Sequence, residues 1–376
     1  MTKIRILDFK KNLAYIYFII PFIFNAQNKI SIIFSLLIGK DAFNLKLNNI
    51  LVKIKRNDFY QLYSILGIIA YSTSYSINSK KVLEISFDEE NRFSIPLDNL
   101  SYENSNLLEL LFLGTKYGAN FFSKDVKNIQ LREKSFKIFT NNNKKIIETS
   151  DGIKFYIDSI HPGNTIIETF IKNIHMINTK IDWKNKIIVD AGAECGDTPL
   201  YFANKGAKVY AIEPVKTHFN FMQKNLELNQ DLAKNIIPIN AAIGENGILK
   251  FYESTKEGGG GGASYVDNNQ EDDFKITEVQ GYTLKMLKEK FGISRIDLLK
   301  MDCKGCEFFL TKEDLEHVEN VKIEYTIMND KNKLENLLKL LENIGFKCML
   351  YRHSEQGRNS NKLEGNIYGT KIVNVK

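Results

Sequence analysis

From residue 186 onward the apolar positions fall into short unbroken runs separated by amphipathic stretches. Residues 186–190, 207–212 and 236–239 have the length and aliphatic content of strands buried on both faces, and 296–301, 321–325 and 347–351 repeat the pattern. Between them, 199–204, 216–229 and 331–344 carry helical periodicity, and 365–373 offers a closing strand. Strand–helix alternation at this pace predicts a doubly wound α/β sheet, which binds ligands at the carboxyl ends of its strands.

The first 150 residues follow a different rhythm. Residues 50–55 alternate like a half-buried strand, and Asn57 or Asp58 can cap a helix over 59–71. Two short strands, 83–87 and 92–97, flank a polar turn at 88–91, and 105–117 is a leucine-rich helix. A polar run at 141–145 and a turn at 149–152 place a boundary between 145 and 160. We therefore divide the 376 residues into a small α+β domain, 1–150, and a second domain, 151–376. No repeat of fixed period is present.

Candidate chemistry sits at the strand ends. The first strand runs into Asp190-Ala191-Gly192-Ala193-Glu194-Cys195-Gly196-Asp197-Thr198, where two glycines allow a sharp turn and close approach to a ligand. Glu213-Pro214 ends the second strand, placing a carboxylate where it can accept both hydroxyls of an adenosine ribose. Asn240-Ala241-Ala242 ends the third, where a side-chain amide or backbone can meet adenine. An acid–glycine loop, a ribose acid and a polar strand end, in that order, are the pattern of S-adenosylmethionine binding. A nicotinamide oxidoreductase is disfavoured, because the third glycine of G-x-G-x-x-G is missing.

The fourth strand ends in Met301-Asp302-Cys303-Lys304-Gly305-Cys306-Glu307, which brings an acid to each side of a tight loop. Cys303 and Cys306 form a C-x-x-C; zinc needs about four ligands, with only Cys195 near as a third, and a thioredoxin-type redox pair carries no glycine–acid cofactor loop upstream, so buried packing is the expected role. Asp302, Glu307 and Glu324 are the candidate bases for an acceptor hydroxyl. Their competing roles are a cofactor or loop contact for Asp302, helix capping for Glu307 and a structural ion pair for Glu324. Three of the five histidines, His161, His175 and His218, fall near these segments, and none has the pattern of a triad base. The five glycines 258–262 suit either a lid over the acceptor or a slack hairpin loop.

Taken together, Asp190–Thr198, Glu213-Pro214, the run from Asn240 to Gly244, Asp302 with Gly305 and Glu307, and Glu324-Tyr325 resemble the FkbM family of methyltransferases, over about residues 160–374. The resemblance implies a Rossmann-like sheet, mostly parallel with an antiparallel C-terminal strand. It also implies S-adenosylmethionine as methyl donor and O-methylation of a hydroxyl on a glycan, glycolipid or secondary metabolite. Asp190, Gly192, Ala193, Gly196, Asp197, Thr198, Glu213, Pro214, Asn240, Ala241 and Asp302 are then the cofactor-binding set. Three positions depart from the family pattern: Glu194 stands for Asn, Lys304 for Glu, and Thr326 for His. The last two alter the acceptor side and keep open an accessory protein that binds the nucleotide without turnover.

Charge separates the two halves further. Residues 1–150 hold 21 Lys and Arg against 13 Asp and Glu, while the remainder holds 30 against 32. A nucleic-acid enzyme would spread basic residues around its site, so no nucleic-acid partner is expected. Within residues 1–56 ten Lys and Arg face two Asp, around apolar stretches at 13–24 and 30–38. Neither stretch reaches the roughly 20 residues that span a bilayer, and no small-x-small cleavage site follows. The expected role of both is the core of the N-terminal domain, with a peripheral contact on an anionic membrane surface as the second reading. Four cysteines rule out a disulfide framework and suit a cytoplasmic enzyme, with the inner membrane surface as the second location.

Overall fold

The computed structural model describes residues 22–55, 59–87, 92–98, 100–117, 136–176, 181–254, 274–328, 332–355 and 362–372. The cap at Asn57 or Asp58, the turn at 88–91, the glycine run 258–262 and most of the stretch 13–24 lie outside the described residues. Two compact units result, Met1–Ile167 and Glu168–Lys376. The boundary therefore falls later than 150. The reason is a small antiparallel sheet that continues across 150, described below.

In the first unit, helix α1 (Lys29–Leu37) precedes the hairpin β1 (Ala42–Leu47) and β2 (Ile50–Lys55). Asn48 and Asn49 supply the two positive φ angles of its turn, 44° and 66°. Helix α2 (Phe59–Tyr71) buries Leu62, Ile65, Leu66, Ile68 and Ile69. A three-stranded sheet follows, β3 (Ser74–Ile77), β4 (Val82–Ser86) and β5 (Arg92–Pro96), then helix α3 (Tyr102–Tyr117). The sheet β6 (Lys137–Asn141), β7 (Lys144–Glu148) and β8 (Lys154–Tyr156) closes the unit. The polar run at 141–145 is thus the β6–β7 turn, with Asn142 and Asn143 at positive φ, and not a linker. Asn106 on α3 donates two 2.8 Å hydrogen bonds to the carbonyls of Ile157 and Ile160, tying the end of this sheet to the helix. Among the described residues the unit combines helices with short antiparallel strands.

The second unit is built on β9 (Ile187–Ala191), β10 (Lys208–Ile212), β11 (Ile236–Ile239), β15 (Leu298–Met301), β16 (Asn320–Met328), β17 (Phe346–Glu355) and β18 (Lys362–Lys371). Their order is β11-β10-β9-β15-β16-β18-β17, parallel except for β18, which runs antiparallel to both neighbours. Helices α4 (Asp197–Ala203), α5 (Lys216–Leu228), α6 (Gln230–Ala233), α7 (Leu284–Phe291) and α8 (Asn332–Asn343) connect the strands. A second small sheet, β12 (Ala242–Ile243), β13 (Gly247–Ser254) and β14 (Phe274–Tyr282), is inserted after β11. One continuous core joins Val189, Leu299, Val321, Ile323, Tyr325 and Leu341. The strand order reverses between β9 and β15, where a doubly wound sheet opens a crevice.

Candidate functional site

Strand register sets two polar rows across the middle of the sheet. Asp190, Lys300, Lys322 and Tyr368 are neighbours on β9, β15, β16 and β18. Two residues further on, Gly192, Asp302, Glu324 and Asn366 stand at the next level. Asp302 and Glu324 directly follow the paired Met301 and Ile323, and Glu324 pairs with Asn366. Side chains two apart on a strand share a face, so both rows lie on one side of the sheet.

The lower row is buried at Asp190, Lys300 and Lys322. Asp190 and Lys322 are fully covered and Lys300 nearly so, and Lys300 Nζ lies 2.9 Å from Asp190 Oδ1. The same ammonium donates to the Gly192 carbonyl at 3.1 Å, so the ion pair pins the first turn of the loop. Burial pushes the Asp190 carboxyl up to about 6 against the pull of Lys300. Burial opposes the Lys300 charge, yet Asp190, Asp302 and Asp197 together hold it above the ordinary lysine range. Burial lowers Lys322, whose Nζ makes no hydrogen bond among the described residues and sits 3.7 Å from Glu324 Oε2. His175 is buried between the hydroxyls of Thr169 and Thr198, at 3.0 and 3.3 Å. Burial, with Lys322 and Lys300 nearby, holds it well below the usual histidine range. Thr169 also donates to Asp197 at 2.6 Å, and enclosure pushes that carboxyl up to about 7 despite this bond.

The loop after β9 is held from outside itself. The N–H groups of Gly192 and Ala193 both donate to the Ile212 carbonyl, and Glu194 N–H donates to Glu213 Oε2 at 2.8 Å. Glu213 Oε1 accepts from Val215 N–H at 2.8 Å, and His218 Nδ1 lies 3.7 Å away. Asn225 on α5 donates to the Cys195 carbonyl at 2.9 Å. Gly192 has φ 84°, and an added Cβ would collide with the Asp302 carbonyl oxygen and lie 2.8 Å from its carbon. Glycine is therefore required by the approach of the two loops. At Gly196, φ 87°, a Cβ would lie 2.9 Å from Met222 Cγ on α5. Thr198, Pro199 and Ala193 are buried.

At the adjoining strand end, the Asn240 amide donates to the carbonyls of Glu213 and Pro214, at 2.8 and 3.0 Å. Its amide hydrogens thus fix the β10 turn, while Ala241 beside it is buried. Glu213 is 4% exposed, and each of its carboxylate oxygens accepts one backbone N–H, keeping a second lone pair. A vicinal diol needs two such acceptors. The residues present therefore fit an adenosine ribose.

The loop after β15 is held by its own residues. Cys303 and Cys306 are joined in a disulfide, which corrects the expectation of two packing thiols. Glu307 Oε2 accepts from Gly305 N–H at 2.8 Å and lies 3.6 Å from Cys303 Sγ. Its Oε1 is buried and has no hydrogen-bond partner among the described residues. Burial pushes the Glu307 carboxyl up to about 7. Of the three candidate bases, Glu307 is fully buried, whereas Asp302 and Glu324 are only partly covered. Burial and then the charge of Asp302 raise the Glu324 carboxyl, with Lys322 and Lys300 opposing. Sequence reasoning missed Lys300, Lys322, Thr169 and the role of His175. A lysine inside the apolar run Leu298-Leu299-Lys300-Met301 was the available signal, because such a charge must find a partner.

Residues 190–348 match the family model of the methyltransferase FkbM domain. No curated protein matches the chain. Among solved structures, a TYW2 from M. jannaschii in complex with AdoMet is 17% identical, covering 66% of this chain and 90% of that one, at a TM-score of 0.32. An rRNA methylase from Streptococcus thermophilus is 16% identical over 54% of this chain and 96% of that one, at 0.34. A putative methyltransferase from Streptococcus mutans in complex with SAH is 15% identical over 53% and 97%, at 0.33. The strand order, and not these likenesses, carries the fold.

Proposed function

We propose that this chain, whose residues 190–348 match the methyltransferase FkbM domain, transfers a methyl group from S-adenosylmethionine to a hydroxyl of a glycan, glycolipid or secondary metabolite. The observation that carries this reading is the row Gly192, Asp302, Glu324 at the point where strand order reverses, beside the paired acceptor oxygens of Glu213. The loop 190–198 and Glu213 would hold the donor, with Pro214, Asn240 and Ala241 bordering its base. Bound there, the donor supplies an electrophilic methyl carbon on a sulfonium.

The protein's own residues then have two tasks. The first is to hold an acceptor oxygen in line at the carboxyl end of β15, where orientation alone can lower a barrier by several kcal/mol. The second is to take the hydroxyl proton. Glu324 suits this role, because it reaches the surface and its raised carboxyl is a better base near neutrality than an ordinary glutamate. Asp302, one strand away, bears on Glu324 through its charge. Glu307, fully buried, acts as a positioning residue for the Cys303–Cys306 turn.

Methyl-labelled donor should be incubated with the protein and with separated glycan, lipid and small-metabolite fractions. Label in an alkali-stable ether, absent with Glu324→Gln, is the expected result. Label on nitrogen, carbon or a carboxyl ester would overturn the O-methylation reading. Donor binding with no product in any fraction would favour the accessory reading instead.

A further inference from the structure

The expected burial of residues 30–38 is where structure and sequence disagree most. Helix α1 places Ile30, Ile33, Phe34 and Leu37 at i, i+3, i+4 and i+7, one apolar stripe. In a folded unit such a stripe faces the core. Here it faces outward: Ile30 is 85% exposed, Ile33 47%, Phe34 59% and Leu37 73%. Only Ile32 and Ser35 are buried. Phe24 and Ile38, before and after the helix in the chain, are exposed as well.

The orientation is fixed by hydrogen bonds at the helix start. Asn28 Oδ1 accepts from Lys46 N–H and Asn28 Nδ2 donates to the Asn44 carbonyl, each at 2.8 Å, clamping the helix to β1. The hairpin buries Phe43, Leu45, Leu47, Val52 and Ile54, and turns Lys53 and Lys55 outward. Lys40, just past the helix, is exposed as well. Among the described residues 22–55 the charged side chains are Lys29, Lys40, Lys46, Lys53 and Lys55 against the single acid Asp41, so the stripe has a basic surround.

From this pairing of an outward apolar stripe with a basic surround, we infer that helix α1 docks in the headgroup region of an anionic lipid surface. A second copy of the chain is a poor occupant, because it would bring two strongly positive segments together across one short helix. A lipid surface reverses the sign of that interaction, and takes up the apolar side chains at the boundary of its acyl chains. No described helix is long and apolar enough to cross a membrane. This inference does not depend on the proposed reaction.

The full chain should be sedimented with vesicles of phosphatidylcholine alone and of phosphatidylcholine mixed with phosphatidylglycerol. The expected result is pelleting with the acidic vesicles at low salt and release at high salt, since exposed charges are screened over about 8 Å at physiological ionic strength. Phe34→Glu with Leu37→Glu alters only exposed positions and should lower the bound fraction roughly tenfold with an unchanged circular dichroism spectrum. Lys53→Glu with Lys55→Glu should weaken binding to acidic vesicles alone. Equal recovery in the supernatant with both vesicles at every salt overturns the inference. So does binding that the Phe34 and Leu37 variants leave intact. A dimer in analytical ultracentrifugation that Phe34→Glu with Leu37→Glu dissociates would overturn the inference, because a second copy would then cover the stripe.

Discussion

The two loops that meet at the strand-order reversal are built in opposite ways. The loop after β9 takes its shape from other elements: Lys300 holds the Gly192 carbonyl, Glu213 holds the Glu194 N–H, and Asn225 holds the Cys195 carbonyl. The loop after β15 takes most of its shape from itself, through the Cys303–Cys306 disulfide and the bond from Gly305 to Glu307, with the Asp302 N–H bond to the Ala191 carbonyl as its tie to β9. The first should therefore be sensitive to changes made far away in sequence. The second should respond mainly to changes within its own few residues.

The largest effect is expected from Lys300→Met. It leaves Asp190 buried without its cation and frees the Gly192 carbonyl, and breaking a buried pair from one side costs about 3–5 kcal/mol. Denaturant unfolding should show that loss near neutral pH and a smaller one near pH 5, where the raised Asp190 carboxyl takes up a proton. Asp190→Asn with Lys300→Met should recover part of it. A loss below about 1 kcal/mol for the single variant would mean that the pair does not organise the loop.

Glu213→Ala comes next. Two backbone hydrogen bonds to a charged acceptor disappear, at about 1.5–3 kcal/mol each, and the ribose acid goes with them. We expect donor affinity to fall at least tenfold, measured by calorimetry on protein that remains folded. Unchanged affinity would move the ribose elsewhere.

Protonation sharpens the contrast, because Glu307 sits inside the self-held loop. Its native carboxyl is raised to about 7, so the native state binds that proton more tightly than the unfolded chain does. The stability this group contributes is complete below its ordinary range near 4.5 and is lost as pH rises towards 7. Glu307→Gln cannot ionise. Its stability relative to the wild type should climb over that window and level off above it, and a flat difference would contradict the burial of the charge.

Cys306→Ser should have a smaller and local effect. A disulfide closing so short a loop is worth about 1–2 kcal/mol, and donor affinity should stay within about twofold. A tenfold change would show that the two loops are coupled after all. The smallest effect is expected at Glu194, held at φ 46° where glutamate is strained. Glu194→Asn should stabilise the protein by about 0.5–1 kcal/mol in thermal unfolding.

The sheet was legible because its strands are buried on both faces, and runs such as Ile187–Ala191 and Lys208–Ile212 have no polar alternation to confuse them. The order of glycines and acids was legible for the same reason, since each follows such a run. Other features were hidden by physics that acts across sequence. The Asn142–Asn143 turn resembles a polar linker until β7 is seen to pair with β6 and β8. Lys300 stands out in its apolar run, but only register sets it beside Asp190, with Lys322 one strand further on. Helix α1 is apolar around most of its circumference, with Ile32 and Leu36 outside the stripe, and only the fold tells which side is buried. In each case the missing information was a partner and not a propensity.

The central claim, that the β9 loop and Glu213 form a site for an adenosyl methyl donor, is tested most directly by titrating the wild-type protein with S-adenosylmethionine and, separately, with NADH. The account predicts saturable one-to-one heat with S-adenosylmethionine and none with NADH. No binding of the methyl donor by folded protein, or binding of NADH in its place, would contradict it.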